Sequence, residues 1–185
     1  MIDALREGTR ELHDRVEAGV GLPRDAAELA ALLRRWLSVT RPLEVQLARW
    51  RDDLEDALGL DLDPRLRGEH LNADLRALGH DPATVADAPV PNLDTLPRAV
   101  GCLYVLEGST LGGQIVARHL REQLGMTAQS GGSFFAGRGD AIVPMWRQLK
   151  AALSAYGEAR SAAVEPAVAA ARETFEAFGR AFAGA

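Results

Sequence analysis

The sequence predicts an all-α fold, on three observations. Ala, Leu and Arg are its commonest residues, and all three favour helix. Apolar residues recur with the i, i+3, i+4, i+7 spacing of one helical face through most of the long stretches. Apolar–polar alternation of useful length, the mark of a half-buried strand, is missing, and no internal repeat stands out. At 185 residues the chain is long enough to bury a real core, so a single domain over residues 1–185 is expected.

The first helix is expected to carry Leu5, Thr9, Leu12, His13 and Val16 on one face and to end near Gly19 and Gly21, with Pro23 beyond. A second helical stretch runs from Asp25, a residue type suited to an N-cap, to about Leu58. Its apolar series includes Leu29, Leu32, Leu33, Trp36 and Leu37, then Leu43, Leu47, Trp50 and Leu54. Pro42 lies inside it and is expected to kink or split it, because proline removes a donor and crowds the preceding turn. A short helix from about Pro64 to Leu78 stops at Gly79 and Pro82. Residues 83–97 hold Pro89, Pro91 and Pro97 with little periodicity and read as a long connection. The main helix of the second half spans about Leu96 to Leu124. Gly131, Gly132, Gly137 and Gly139 mark a flexible stretch, and helices near Ala141–Tyr156 and Ala162–Phe182 close the chain.

Charge and cysteine usage narrow the function classes. A formal net charge of -5 argues against a nucleic-acid binder, whose footprint is a basic domain. The single Cys102 has no partner for an intramolecular disulfide, which suits a reducing cytoplasm. The N-terminus Met-Ile-Asp-Ala-Leu-Arg-Glu lacks the apolar centre of a secretory signal. No apolar run approaches the roughly 20 residues of a membrane span. A soluble, cytoplasmic protein with neither membrane nor nucleic-acid partner is expected.

Chemistry is sought in the exceptions to the helical pattern. His13 falls on the apolar stripe of the first helix, where it is either a core histidine bonded to a neighbour or a metal or haem ligand. Glu17 follows one turn later, in reach of the imidazole. The run Gly101-Cys102-Leu103-Tyr104-Val105-Leu106-Glu107-Gly108-Ser109-Thr110-Leu111-Gly112-Gly113-Gln114 reads as continuous helix with three glycines, Gly108, Gly112 and Gly113, within six residues. Each interior glycine costs roughly 1 kcal/mol relative to alanine. Gly108 and Gly112 share a face, open either to a packed helix or to a flat ligand. Cys102 sits among apolar neighbours, where a thiol is ordinarily inert. No Glu-x-x-His pair of the carboxylate-bridged di-iron type occurs. His70, His80 and His119 lie in polar surroundings and read as non-catalytic.

Leu5-x3-Thr9-x3-His13-x3-Glu17 resembles the proximal helix of the haem oxygenases, and Tyr104 through Gln114 resembles the glycine-rich distal helix of their bacterial members. Arg41-Pro42-Leu43-Glu44 and the terminal helix from Phe175 to Phe182 extend the resemblance over nearly the whole chain. It implies haem as both substrate and cofactor, lying between two helices, with His13 as the iron ligand and Gly108, Ser109 and Gly112 on the reacting side. Gly113 and Glu17 join the haem-binding set. Arg6, Arg10 and Arg147, with Lys150 a weaker neighbour, become candidates for the haem propionates, since a guanidinium suits carboxylates. Phe175, Phe182 and the pair Phe134-Phe135 either wall the pocket or fill the core. The implied reaction opens the porphyrin ring with molecular oxygen and external electrons from a reductase, a ferredoxin or an ascorbate-like reductant, yielding biliverdin, carbon monoxide and ferrous iron. A haem carrier or sensor is the alternative.

Two departures stand out. Many family members have aspartate directly after the first distal glycine, whereas this chain has Ser109, a hydroxyl without acid–base function at neutral pH. A tyrosine that some members place on the second helix is also missing; Trp36 is the nearest aromatic and reads as core.

Overall fold

The computed structural model describes residues 1–183. In chain order they form α1 (Ile2–Gly19), α2 (Ala26–Ala48), α3 (Arg51–Leu58), α4 (Gly68–Ala77), α5 (Leu96–Leu124), α6 (Ser133–Ala136), α7 (Ile142–Ala159) and α8 (Val164–Phe182). Short 3₁₀ turns link several of them, and no strand occurs among the described residues. The all-α expectation holds, with boundaries close to those read from the periodicity.

Leu5, Thr9, Leu12 and Val16 form the buried stripe of α1, and the Thr9 hydroxyl returns its proton to the Leu5 carbonyl at 2.7 Å. His13 lies beside this stripe rather than within it, its side chain half exposed. Asp25 caps α2 by accepting from the Glu28 amide at 2.8 Å. Helix α2 then runs through Pro42 without the split expected there as one of two outcomes, and the break falls at Arg49–Trp50. The carbonyl that Pro42 leaves without its helical donor belongs to Ser38. It accepts instead from the amide of Ala88 at 2.9 Å.

That bond is one of several by which the proline-rich connection is laid along α2. Arg41 reaches Asp87 and the carbonyls of Pro82 and Val85. Gln46 donates to the Pro91 carbonyl at 3.0 Å and accepts from the Leu93 amide at 2.8 Å, and the Trp50 indole donates to Leu93 at 2.6 Å. Side chains of α2 thus satisfy backbone that belongs to no helix.

Helix α8 packs chiefly against α5 and α1 and brings Ala167, Ala170 and Ala171 to those contacts, all fully buried. The α5–α8 crossing is tightest at Gly101. A Cβ there would collide with the backbone carbonyl of Ala167 and come within 3.0 Å of its Cα. Backbone cannot rotate aside as a side chain does, so the glycine sets how closely the helices cross. Gly101→Ala is therefore expected to destabilise the fold by about 1–3 kcal/mol despite the better helix propensity of alanine. Urea unfolding checks this, with Gly21→Ala as the control, where nothing lies within 4 Å of the added carbon.

Candidate functional site

Helices α1 and α5 border an open cavity of about 430 Å3, within the size range of small-molecule sites. His13 and Glu17 line it from α1, and Gly108, Ser109, Gly112 and Gly113 line it from α5. Phe175 of α8 lies edge-on to the His13 ring, centroids 5.8 Å apart at 74°, an arrangement that aromatic quadrupoles favour. Trp36, Phe135 and Trp146 complete the apolar wall.

The glycines divide by role. A Cβ on Gly108 would meet only the Trp146 ring, at 3.5 Å, and one on Gly112 only the Glu17 carboxylate, at 3.9 Å. Both are ordinary contacts with a single side chain, of α7 and of α1, whereas Gly101 meets backbone; the close-packing reading therefore belongs to Gly101 and the open-wall reading to Gly108 and Gly112. Gly113 is buried, with the Phe135 carbonyl 3.5 Å from where its Cβ would stand. On the facing side, His13 Nε2 is 3.5 Å from Glu17 Oε1, and Nδ1 is 3.5 Å from Asp14 Oδ1. The Glu17 carboxylate thus reaches across the cleft from the imidazole toward Gly112.

Of the expected site residues, His13, Glu17, Gly108, Ser109, Gly112, Gly113 and Phe175 share this one cavity. Arg6, Arg10, Arg147 and Lys150 do not line it; all four are exposed on α1 or α7. Arg6 lies 3.6 Å from Asp3 and close enough to the Tyr104 hydroxyl for its charge to act there. Burial raises the Tyr104 pKa, against the smaller lowering effects of Thr9 and Arg6. Phe134, Phe178 and Phe182 pack around Trp36, so Phe134 and Phe182 belong to the core while Phe135 reaches the cavity. Trp36 fills the core as expected and also faces the cavity, yet its buried indole N–H has no acceptor among the described residues.

Behind α5 lies a group of charges that reading the sequence missed. Arg65 and Glu107 form a buried ion pair. Arg67, only 8% exposed, donates to Ser109 Oγ at 2.8 Å and to the Phe134 carbonyl at 3.2 Å, with its guanidinium 4.3 Å over the Phe134 ring. Burial lowers the Arg67 pKa to about 10, against the raising influence of Glu44 and Glu107, so it stays charged at neutral pH. Burial likewise raises the pKa of Glu107 and Glu44. Glu44 accepts from the amides of Arg67 and Gly68 at 2.6 and 2.9 Å, closing the N-terminus of α4. One signal was available: Glu107 is a charge directly after the apolar run Leu103–Leu106, and a buried charge requires a partner. Nothing in the string Asp63-Pro64-Arg65-Leu66-Arg67 told the buried arginines from solvated ones.

A family model described as Heme oxygenase matches residues 1–184. A curated Heme oxygenase of Xanthomonas campestris pv. campestris (strain 8004) is 39% identical over 100 residues, which cover 54% of this chain and 56% of that protein, little more than half its length. The NO- and CO-bound heme oxygenase of Neisseria meningitidis superposes with a TM-score of 0.81 at 21% identity, over 97% of this chain and 88% of that one. The heme oxygenase of Leptospira interrogans gives 0.76 at 21% identity, over 98% and 97%. These last two establish likeness of fold. No described helix is long and apolar enough to cross a membrane.

Cys102 lies on the opposite side of this chemistry, fully buried on α5, where burial pushes its thiol pKa up to about 12. A thiol so protonated is a poor nucleophile. Maleimide is expected to label Cys102 only after unfolding, as followed by mass spectrometry; rapid labelling of the native protein would contradict its burial.

Proposed function

The chain belongs to the haem oxygenase family, and on that footing we propose that it opens the porphyrin ring of haem oxidatively, using molecular oxygen and external electrons, to give biliverdin, carbon monoxide and ferrous iron. The observation that carries this reading is the facing of one imidazole against a wall of glycines across a single cavity. A flat ligand needs such a wall, and the added carbons of Gly108 and Gly112 would stand in the space it takes. Haem, as substrate, brings the iron that handles oxygen and electrons; the protein supplies position and hydrogen bonding.

The residues fit that group. His13 would hold the iron as neutral imidazole, after the Glu17 carboxylate leaves the ring nitrogen it now faces. Glu17 then remains one helical turn away to orient the ring. Phe175 restricts the same ring from the edge. Arg6, placed near the Tyr104 side of the cleft, is the first guanidinium for the propionates, with Arg10 one turn along and Arg147 on α7. Electrons would arrive from a reductase, a ferredoxin or an ascorbate-like reductant at the open edge. We assign the activity to the cytoplasm, in keeping with the free, buried thiol.

Mixing the protein with haemin, then adding ascorbate or a reductase system under air, tests the reading. A Soret band should form and decay into broad red absorption, and His13→Ala should abolish both. A stable Soret band without decay would leave a carrier or sensor and overturn the oxygenase. Gly112→Ala offers a second check. Its added carbon finds room beside Glu17, so the ligand-free protein should gain up to about 1 kcal/mol in urea unfolding, while haem titration shows weaker binding.

A further inference from the structure

Ser109 follows Gly108 on the cavity wall, and its surroundings fix how its hydroxyl behaves there. Its oxygen donates the hydroxyl proton to the Leu106 carbonyl at 2.7 Å and accepts from Arg67 Nη2 at 2.8 Å. A serine hydroxyl has one proton and two lone pairs. With the proton and one lone pair committed, a single acceptor site is left for the cavity that Ser109 lines. In that position the serine presents what an ionised carboxylate presents, an acceptor without a proton to give.

Arg67 itself is held from several sides. Glu44 binds the Arg67 backbone amide, Phe134 offers its carbonyl and ring face, and the charge of Glu107 lies near. Arg65, Arg67 and Glu107 border a second small cavity behind α5, about 20 Å3 and large enough for roughly one water molecule. The Arg67 guanidinium therefore borders the small cavity and donates to the hydroxyl of a residue that lines the larger one.

We propose that Arg67 is a positioning residue that locks Ser109 as a one-directional acceptor, so that a water held in the cavity turns one hydrogen to Ser109 and its other toward the haem face. The proposal rests on the haem-oxygenase reading above. Remove the guanidinium, and the Ser109 oxygen regains a free lone pair on its buried side and loses the charge that fixes its direction. Water above the haem then has no preferred orientation.

The infrared stretch of carbon monoxide bound to the ferrous haem protein reports that orientation directly, apart from turnover. A hydrogen bond donated to the ligand lowers its frequency and narrows the band. Wild type should show one narrow band at low frequency. Ser109→Ala and Arg67→Met should each move the band upward and broaden it, and combining them should add little to either. Arg67→Lys, which keeps a cationic donor, should restore most of the low-frequency band. Ser109→Ala carries the test should Arg67→Met fail to fold. Ring opening by the wild type, with unchanged bands in Ser109→Ala and in any folded Arg67 variant, would overturn this proposal alone. Failure of the wild type to bind haem or open its ring would overturn the parent reading, and this one with it.

Discussion

Two carboxylates and two guanidiniums lie in the interior behind α5, and none is tolerable there alone. Breaking a buried ion pair by removing one member costs about 3–5 kcal/mol, since the survivor is left desolvated without compensation. Each charge is therefore tied to a specific place in the chain. Glu44 on α2 closes the N-terminus of α4 through the amides of Arg67 and Gly68. That bond fixes the backbone from which the Arg67 side chain reaches Ser109. Arg65, two residues earlier, meets Glu107 and pins α5 immediately before its first open glycine. These contacts hold α5 at the start of its glycine wall, while α8, packed on both α5 and α1, sets that wall against α1.

Helix α5 needs such anchoring because its own sequence supports it poorly in the middle. The glycines bring a flat wall at the expense of propensity, and Gly108 and Gly112 recover little of it through packing. Stability is supplied ahead of the glycines: by the Gly101–Ala167 crossing, by the apolar run through Leu106, and by the charged cluster at Glu107. The same residue type thus serves opposite purposes within one helix, close approach at Gly101 and vacant space at Gly108 and Gly112.

Much of this was legible in the sequence. Helical period placed α1, α5 and α8 within a few residues, Asp25 behaved as a cap, and the His13 and glycine motifs did meet in one cavity. Other features were not legible, for identifiable reasons. Pro42 did not split α2 because the amide that replaced its lost donor came from Ala88, a partner that local pattern cannot reveal. Arg6, Arg10 and Arg147 were chosen by helix and charge, yet whether a long side chain reaches a cleft depends on how helices cross. Arg65 and Arg67 sit in polar-looking sequence, and only the fold turns them inward. In the Arg41-Pro42-Leu43-Glu44 string, Arg41 holds the connection and Glu44 closes α4, contacts far off in sequence that the string itself does not reveal.

The connection between α4 and α5 is bound largely by side chains of α2, and by Trp50 just beyond its end, some 41–47 residues away in sequence, with Arg98 of α5 holding the Asn92 carbonyl and Arg180 of α8 the Pro89 carbonyl. Closing loops of that length costs conformational entropy before any of these bonds forms. None of those made by α2 or Trp50 exists until α2 is whole, because Arg41, Gln46 and Trp50 must first project from a finished surface. The strap from Val85 to Leu93 can be fastened only against a formed surface of α2. Until then the Ser38 carbonyl depends on water, and the proline inside α2 is a weak point. Once fastened, the strap turns that weak point into a seam between the two halves of the chain.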